Sequence, residues 1–319
     1  MSWKTWVVPF IAALLLGAAA AANSPQNLLA AGRVDDAITA LQSQITASPD
    51  SAESYNLLCR AYFSLGDWDR AVSACEKAVK LDGNNSEYHL WLGRAYGEKA
   101  DRVNFLSAAS LAKKLRHEFE QAVALDPKSV DAHTDLAEFY LEAPGIVGGG
   151  QDKAREQARI LNTLNPAKAH WVYARIAEKR KDGVTAEHEY RAEIDADQGS
   201  ADSWLELSYF FKRAGRLDDM QSAIQKASTS HVNRSYVLVD GAETLIKADR
   251  DLPLAKQLLL RYLEMGSVEQ APSFKAHYLL GTLLEKQGDR AGAAQEYRTS
   301  LALARNFGRA QEALNRVTQ

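Results

Sequence analysis

Histidines, cysteines, a glycine run and a repeated arginine are the side chains here whose types and spacing could do chemistry. The seven histidines are His89, His117, His133, His170, His188, His231 and His277. A zinc hydrolase needs His-Glu-x-x-His on one helical face, and after His117-Glu118 the second ligand's place holds Gln121. Glu187, His188 and Glu189 are adjacent, but neighbours on a helix point in different directions. No Gly-x-Ser-x-Gly elbow is present. Two cysteines without a neighbouring histidine or carboxylate give too few ligands for a metal. Gly148-Gly149-Gly150 precedes a helical stretch, where backbone N–H groups attract anions. No Gly-Lys-Ser/Thr follows it, so a tight loop pressed on a neighbouring element is the simpler reading. Arginine is different, because Leu58-Cys59-Arg60-Ala61-Tyr62 returns as Leu92-Gly93-Arg94-Ala95-Tyr96. A guanidinium returning in register suits forked contacts with carboxylates. These observations assign no catalytic residue, cofactor or metal. They point to a surface rather than a reaction centre.

The elements that must carry that surface are helices. Tyr55, Leu58, Cys59 and Tyr62 fall at i, i+3, i+4 and i+7. Gly66-Asp67 breaks the run, and Trp68, Ala71, Val72, Cys75, Ala78 and Val79 resume the spacing on a second helix. Small residues at Cys59, Ala71 and Ala78 let the two approach closely. Ala122-Val123-Ala124-Leu125-Asp126-Pro127 then repeats Ala78-Val79-Lys80-Leu81-Asp82-Gly83. Further copies run through Leu136–Leu164, Tyr173–Tyr190, Trp204–Ala227, Gly241–Tyr262 and His277–Ser300. Acidic pairs such as Asp35-Asp36 and Asp218-Asp219 suit helix N-termini through the helix dipole.

With its period of about 34 residues and its small and aromatic positions, this pattern resembles the tetratricopeptide repeat. The resemblance covers nearly everything after residue 23. It implies an all-α, right-handed α-solenoid of antiparallel helix hairpins over residues 24–319. About seven full repeats are expected, with an N-terminal partial repeat and a C-terminal capping helix. In that fold the first helices of successive hairpins line a concave groove. The groove positions are then Asn56, Arg60, Phe63, Arg94, Glu138, Arg175 and Tyr209. Arg60, Arg94 and Arg175 would form a cationic ladder for an acidic partner, or would pair with Glu53, Glu87 or Asp131. A subset of the family clamps a peptide's terminal carboxylate with lysine and asparagine at these positions. Arg60 and Leu90 depart from that pattern, so the activity is not carried over.

Two neighbouring units are lengthened, by about ten residues in Gly97–Leu106 and about five in Ala143–Asp152. Both insertions fall between the two helices of their unit and are read as loops on one edge, carrying Arg102, Phe105, Pro144, Gly148, Gly149 and Gly150. The pair resembles a group of exported bacterial repeat proteins with a Pro-Gly-x-x-Gly-Gly segment followed by Asp-Lys-Ala.

The rest of the chain narrows the setting. A net charge of −3 with 25% charged residues is an ordinary soluble surface and excludes a nucleic-acid footprint. Lys4 followed by the apolar run Trp6–Ala22, with alanines at its end, reads as a secretory leader over residues 1–22, cut after Ala20 or Ala22. The chain is accordingly expected in the periplasm or secreted; the alternative is a retained anchor facing the periplasm, with membrane contact only in that case. In an oxidising compartment Cys59 and Cys75, level with each other across their hairpin, could be bridged; otherwise they are small buried thiols. The function expected is a non-catalytic scaffold for a protein or extended peptide. The runner-up is a carbohydrate- or lipid-handling envelope factor using the groove and the two insertions.

Overall fold

The computed structural model describes residues 24–230 and 234–319. The leader assigned to residues 1–22 lies outside the described residues, as does His231. Among the described residues there are seventeen α-helices and no β-strand. A short opening pair, α1 (Pro25–Ala30) and α2 (Val34–Ala47), precedes the hairpin α3 (Ala52–Leu65)/α4 (Trp68–Leu81). Then follow α5 (Ser86–Ala100)/α6 (Phe105–Leu125), α7 (Val130–Glu142)/α8 (Gln151–Leu164) and α9 (Pro166–Lys179)/α10 (Gly183–Ala196). The last three hairpins are α11 (Ala201–Arg213)/α12 (Leu217–Thr229), α13 (Tyr236–Ala248)/α14 (Leu252–Met265) and α15 (Ser273–Lys286)/α16 (Arg290–Leu303). Helix α17 (Gly308–Thr318) covers the end of the stack. Each hairpin packs on the next, which makes the chain an α-solenoid.

Local chemistry makes the turns. Gly66 takes a left-handed φ of 74° at the end of α3, and the Asp67 side chain then accepts the Arg70 N–H at 3.2 Å to start α4. The same aspartate cap starts α10 at Asp182, α14 at Asp251 and α16 at Asp289. Four histidines fasten a first helix to its second. His89 Nδ1 meets Glu118 at 2.6 Å, His133 meets Gln157 at 2.6 Å, and His170 and His277 meet Glu189 and Glu296 at 2.7 Å. At His89 the Glu118 hydrogen bond outweighs burial and holds the ring's proton affinity above its ordinary value.

Cys59 on α3 and Cys75 on α4 are joined in a disulfide, with Cα atoms 5.2 Å apart and a sequence separation of 16. Closing a loop of that length restricts the unfolded chain by about 3 kcal/mol. Because hairpins in a solenoid pack chiefly on their neighbours, the effect is largest locally. Cys59→Ser with Cys75→Ser should therefore lower amide-exchange protection in α3 and α4 by about two orders of magnitude at neutral pH, leaving the mid-stack helices α9–α12 unchanged. Equal loss across the whole chain would contradict this.

One expectation needs correcting. The first insertion is mostly helix, not loop: α5 runs on to Ala100, and α6, at 21 residues, starts at Phe105. Only residues 101–104 connect them. Asn104 accepts the Ser107 N–H at 3.1 Å as an N-cap, and the alanine-rich stretch behind it has high helix propensity. Phe105 and Leu106 thus sit in the first turn of a lengthened helix. The second insertion is a loop with one 3-10 turn, Gly145–Val147.

Candidate interaction surface

The first helices face inward, and the coil is tight enough for its two ends to meet. The connection between α14 and α15, residues 266–272, reaches across to α3. There Arg60 Nε and one Nη donate to the two carboxylate oxygens of Glu269 at 2.7 and 2.6 Å, and the other Nη donates to Glu87 at 2.8 Å. Burial alone would weaken the guanidinium's hold on its proton; the Glu269 hydrogen bond and charge more than offset it. Tyr262, fully buried, holds the connection rigid: its hydroxyl donates to the Ala271 carbonyl and accepts the Val268 N–H. A second tie joins Asp35 at the start of α2 to Arg305, whose backbone N–H donates at 2.8 Å and whose guanidinium lies at 3.1 Å. Gly32 completes the contact, since a Cβ there would come within 2.8 Å of Ser267 Oγ and the Ser273 backbone nitrogen.

Closure frames a central cavity of about 1070 Å³ that remains partly open to solvent. Arg60, Phe63, Trp91, Arg94 and Arg102 line one wall, and Arg234, Asp240, Glu243, Lys275 and Tyr278 line the other. Trp91 is its centrepiece. Arg60 lies over the ring at 5.0 Å from the centroid, Arg94 at 5.2 Å, and Phe63 meets it edge-on at 5.5 Å. Across the cavity Asp240 is pushed up to about 6: lost bulk water outweighs the pull of Lys275 at 3.8 Å, and Glu243 adds repulsion.

A side pocket of about 680 Å³ opens beside this cavity and shares Phe63, Arg94 and Glu98 with it. The lengthened start of α6 and the loop after α7 form its walls. Phe119, Leu115, Phe139 and Val147 supply buried apolar surface, while Phe105 and Ile146 stand 77% and 84% exposed beside it. The loop is a tight backbone turn: a Cβ on Gly149 would overlap the Ala143 carbonyl oxygen at 1.8 Å, and the Gly150 N–H donates to the Tyr140 carbonyl at 2.8 Å. Gly148 has a φ of 104° and lies under Arg116, which donates to the Val147 carbonyl at 3.3 Å. The glycines make the tight turn that carries Pro144, Ile146 and Val147 to the wall of the pocket.

The positions expected in the groove separate into groups. Arg60, Phe63 and Arg94 do line the central cavity, and Glu138 lines the side pocket. Asn56 does not reach the groove: α3 is sandwiched between the opening pair and α5, and Asn56 falls inside with 2% exposure. Arg175 and Tyr209 line neither cavity; Tyr209 packs on the Leu205–Val237 cluster between α11 and α13. The arginine ladder is also neutralised. Arg94 Nε donates to Asp135 at 2.6 Å, and Arg175 donates to Glu142 at 2.7 Å. Arg102, from the first insertion, stacks on Trp68 at 4.5 Å and bonds Glu98 at 3.1 Å, while Pro144 borders the side pocket.

Trp91 and Glu269 were missed by reading the sequence. Trp91 stands three residues before Arg94, so helical spacing places the two on one face. Glu269 lies in a third lengthened connection, seven residues at 266–272, legible as the wide gap between Tyr262 and Phe274.

Comparison with known proteins agrees with this architecture. Residues 28–96 and 247–306 match two sequence models of the tetratricopeptide repeat, so repeats of this kind stand near both ends of the chain. Over 202 residues the chain is 27% identical to Superkiller complex protein 3 of Mus musculus, covering 61% of this chain and 12% of that protein. Over 144 residues it is 26% identical to the cytochrome c-type biogenesis protein CycH of Bradyrhizobium diazoefficiens, covering 44% of this chain and 35% of that one. Yeast Tom70 superposes with a TM-score of 0.55 at 14% identity, over 89% of this chain and 58% of its own, a likeness of fold alone. The chain spans much less than the full length of the relatives it matches.

Proposed function

We propose that this chain is a non-catalytic interaction scaffold, exported to the cell envelope, that holds an extended polypeptide in its central cavity. Tetratricopeptide-repeat proteins act as protein-interaction scaffolds, and the fold is typically non-catalytic. The observation that carries the reading is the cavity itself: first helices from both ends of the stack line it and leave about 1070 Å³ between them. Export is supported by the apolar leader at residues 1–22 and by the Cys59–Cys75 bridge, since disulfides persist in oxidising compartments.

The partner's chemistry follows from which groups are free. Arg60, Arg94 and Arg175 are all paired, so an acidic peptide would have to displace Glu269, Asp135 or Glu142. Guanidinium groups also cover Trp91 and Trp68, which leaves those rings no open platform for a sugar. Neither an acidic ligand nor a carbohydrate is favoured.

The test is selection of phage-displayed random peptides on the full chain, followed by anisotropy titration of the best synthetic peptide. Trp91→Ala should weaken binding by roughly tenfold or more while helical circular dichroism is kept. Equal binding by Trp91→Ala would remove the central cavity as the site. Amino-terminal sequencing of the protein from the envelope fraction should begin at Ala21 or Asn23; an intact Met1 would mean the leader is retained.

A further inference from the structure

We infer that the side pocket built by the two insertions is an anchor site for a large apolar side chain of a partner polypeptide, flanked by a lysine or arginine. The inference rests on the scaffold reading and names the chemistry that reading leaves open. Three observations carry it.

The pocket is apolar where it is deep. Phe119 and Leu115 of α6 and Phe139 of α7 form buried wall, and the pocket's volume of about 680 Å³ is within the usual range for a ligand site. Its rim is apolar too. Phe105 and Ile146, one from each insertion, are among the most exposed large apolar residues of the described chain, at 77% and 84%. Such side chains cost solubility when left in water, and they stand here on either side of one opening.

Acidic side chains outnumber basic ones in the pocket lining. Glu98, Asp101, Asp135, Glu138 and Glu142 line it against the single arginine Arg94. Arg94 is spent on Asp135 at 2.6 Å, Glu142 is met by Arg175 and Lys179 at 2.7 and 2.5 Å, and Glu98 by Arg102 at 3.1 Å. Glu138 and Asp101 have no ion pair among the described residues. Glu138 faces the water of the cavity, and the carboxylates of Asp135, Glu206 and Glu142 add to its negative field against the pull of Arg175, so a cation brought beside it would gain a partner.

This combination selects among occupants. A fatty acid or anionic lipid could fill the apolar part but would bring its own negative head to Glu138 and Asp101. A peptide carrying leucine, isoleucine or phenylalanine beside lysine or arginine satisfies both parts. The shared Phe63, Arg94 and Glu98 let one extended segment run from this anchor into the central cavity.

The experiment uses the full chain and the phage-displayed random-peptide library, with the best selected peptide remade synthetically. Enriched sequences should pair a large apolar residue with a nearby lysine or arginine. Ile146→Asp and Glu138→Lys should each weaken the synthetic peptide tenfold or more. Both side chains reach solvent, so neither change should alter the far-ultraviolet circular dichroism. Acidic enriched sequences would overturn the proposal. So would unchanged affinity in both variants; if Trp91→Ala still lost binding, the scaffold reading would survive without the anchor. No enriched peptide at all would sink both. A dimer in sedimentation that Ile146→Asp dissociates would make the occupant a second copy and likewise overturn it.

Discussion

Glu269→Arg is expected to open the coil. The closing contact is narrow: no helix of the first two hairpins packs broadly on a helix of the last two, and the ends meet through side chains and one loop. Contacts of that size do not fix the relative position of two bodies unless specific pairs hold them. Arg60 and Glu269 are such a pair, each about four-fifths buried (side-chain exposure 21% and 19%) and joined by two short charge-assisted bonds. Arg60→Glu strands Glu269 in a poorly hydrated place at about 2–4 kcal/mol, whereas in Glu269→Arg the remaining Arg60 keeps Glu87 at 2.8 Å and the loss comes mainly from repulsion between two guanidinium groups. Asp35 with Arg305 remains, but Arg305 is 76% exposed, and an exposed pair contributes at most about 1 kcal/mol. Small-angle scattering should therefore show a larger radius of gyration and a longer maximum dimension for Glu269→Arg and for Arg60→Glu. The double swap, Arg60→Glu with Glu269→Arg, should restore most of the closed shape. Unchanged scattering from both single variants would show that the loop and its backbone contacts close the coil without the ions. The swap also separates repulsion from misfolding, since a damaged hairpin would not be rescued by a second charge change.

That closure marks the boundary of what the residues alone disclose. Helix spacing, turn chemistry and the level placement of Cys59 and Cys75 are local, and each is written within one repeat. Curvature is the sum of small rotations from hairpin to hairpin, so nothing in residues 52–85 says that Arg60 will meet Glu269, whose sequence separation is 209. Arginine at an equivalent position is legible; whether it is free is not. The carboxylates that neutralise Arg94 and Arg175 come from neighbouring hairpins, at Asp135 and Glu142, and only the packing decides which arrive. The first insertion teaches a different lesson. Its length was readable, but Asn104 as an N-cap before an alanine-rich stretch was the signal that the added residues extend a helix. The side pocket exists because that helix is longer than its neighbours.

Gly93→Val should strongly destabilise the hairpin that carries Trp91. Gly93 lies in the middle of α5, where glycine ordinarily costs about 1 kcal/mol relative to alanine. Close approach accounts for it: a Cβ at Gly93 would stand 2.4 and 2.5 Å from two ring carbons of Phe119 on α6. Phe119 is buried at 5% exposure and forms a wall of the side pocket, so its ring has little room to yield. Overpacking of this kind costs about 1–3 kcal/mol, and the two methyl groups of valine place it at the upper end. Alanine is the instructive comparison, since its better helix propensity offsets part of the clash and should leave Gly93→Ala between wild type and Gly93→Val. Phe119→Ala alone should also destabilise, by about 3–5 kcal/mol, through the void it leaves. Combined with Gly93→Val, however, it removes the atoms that the valine strikes, and the valine fills part of the void. Urea unfolding followed by fluorescence should thus find the double variant more stable than the sum of the two single losses by at least about 1 kcal/mol. Strict additivity would mean that the α5–α6 contact relaxes around a side chain at Gly93. In that case the glycine would not set the spacing of these two helices, and the walls of the side pocket would be free to move apart.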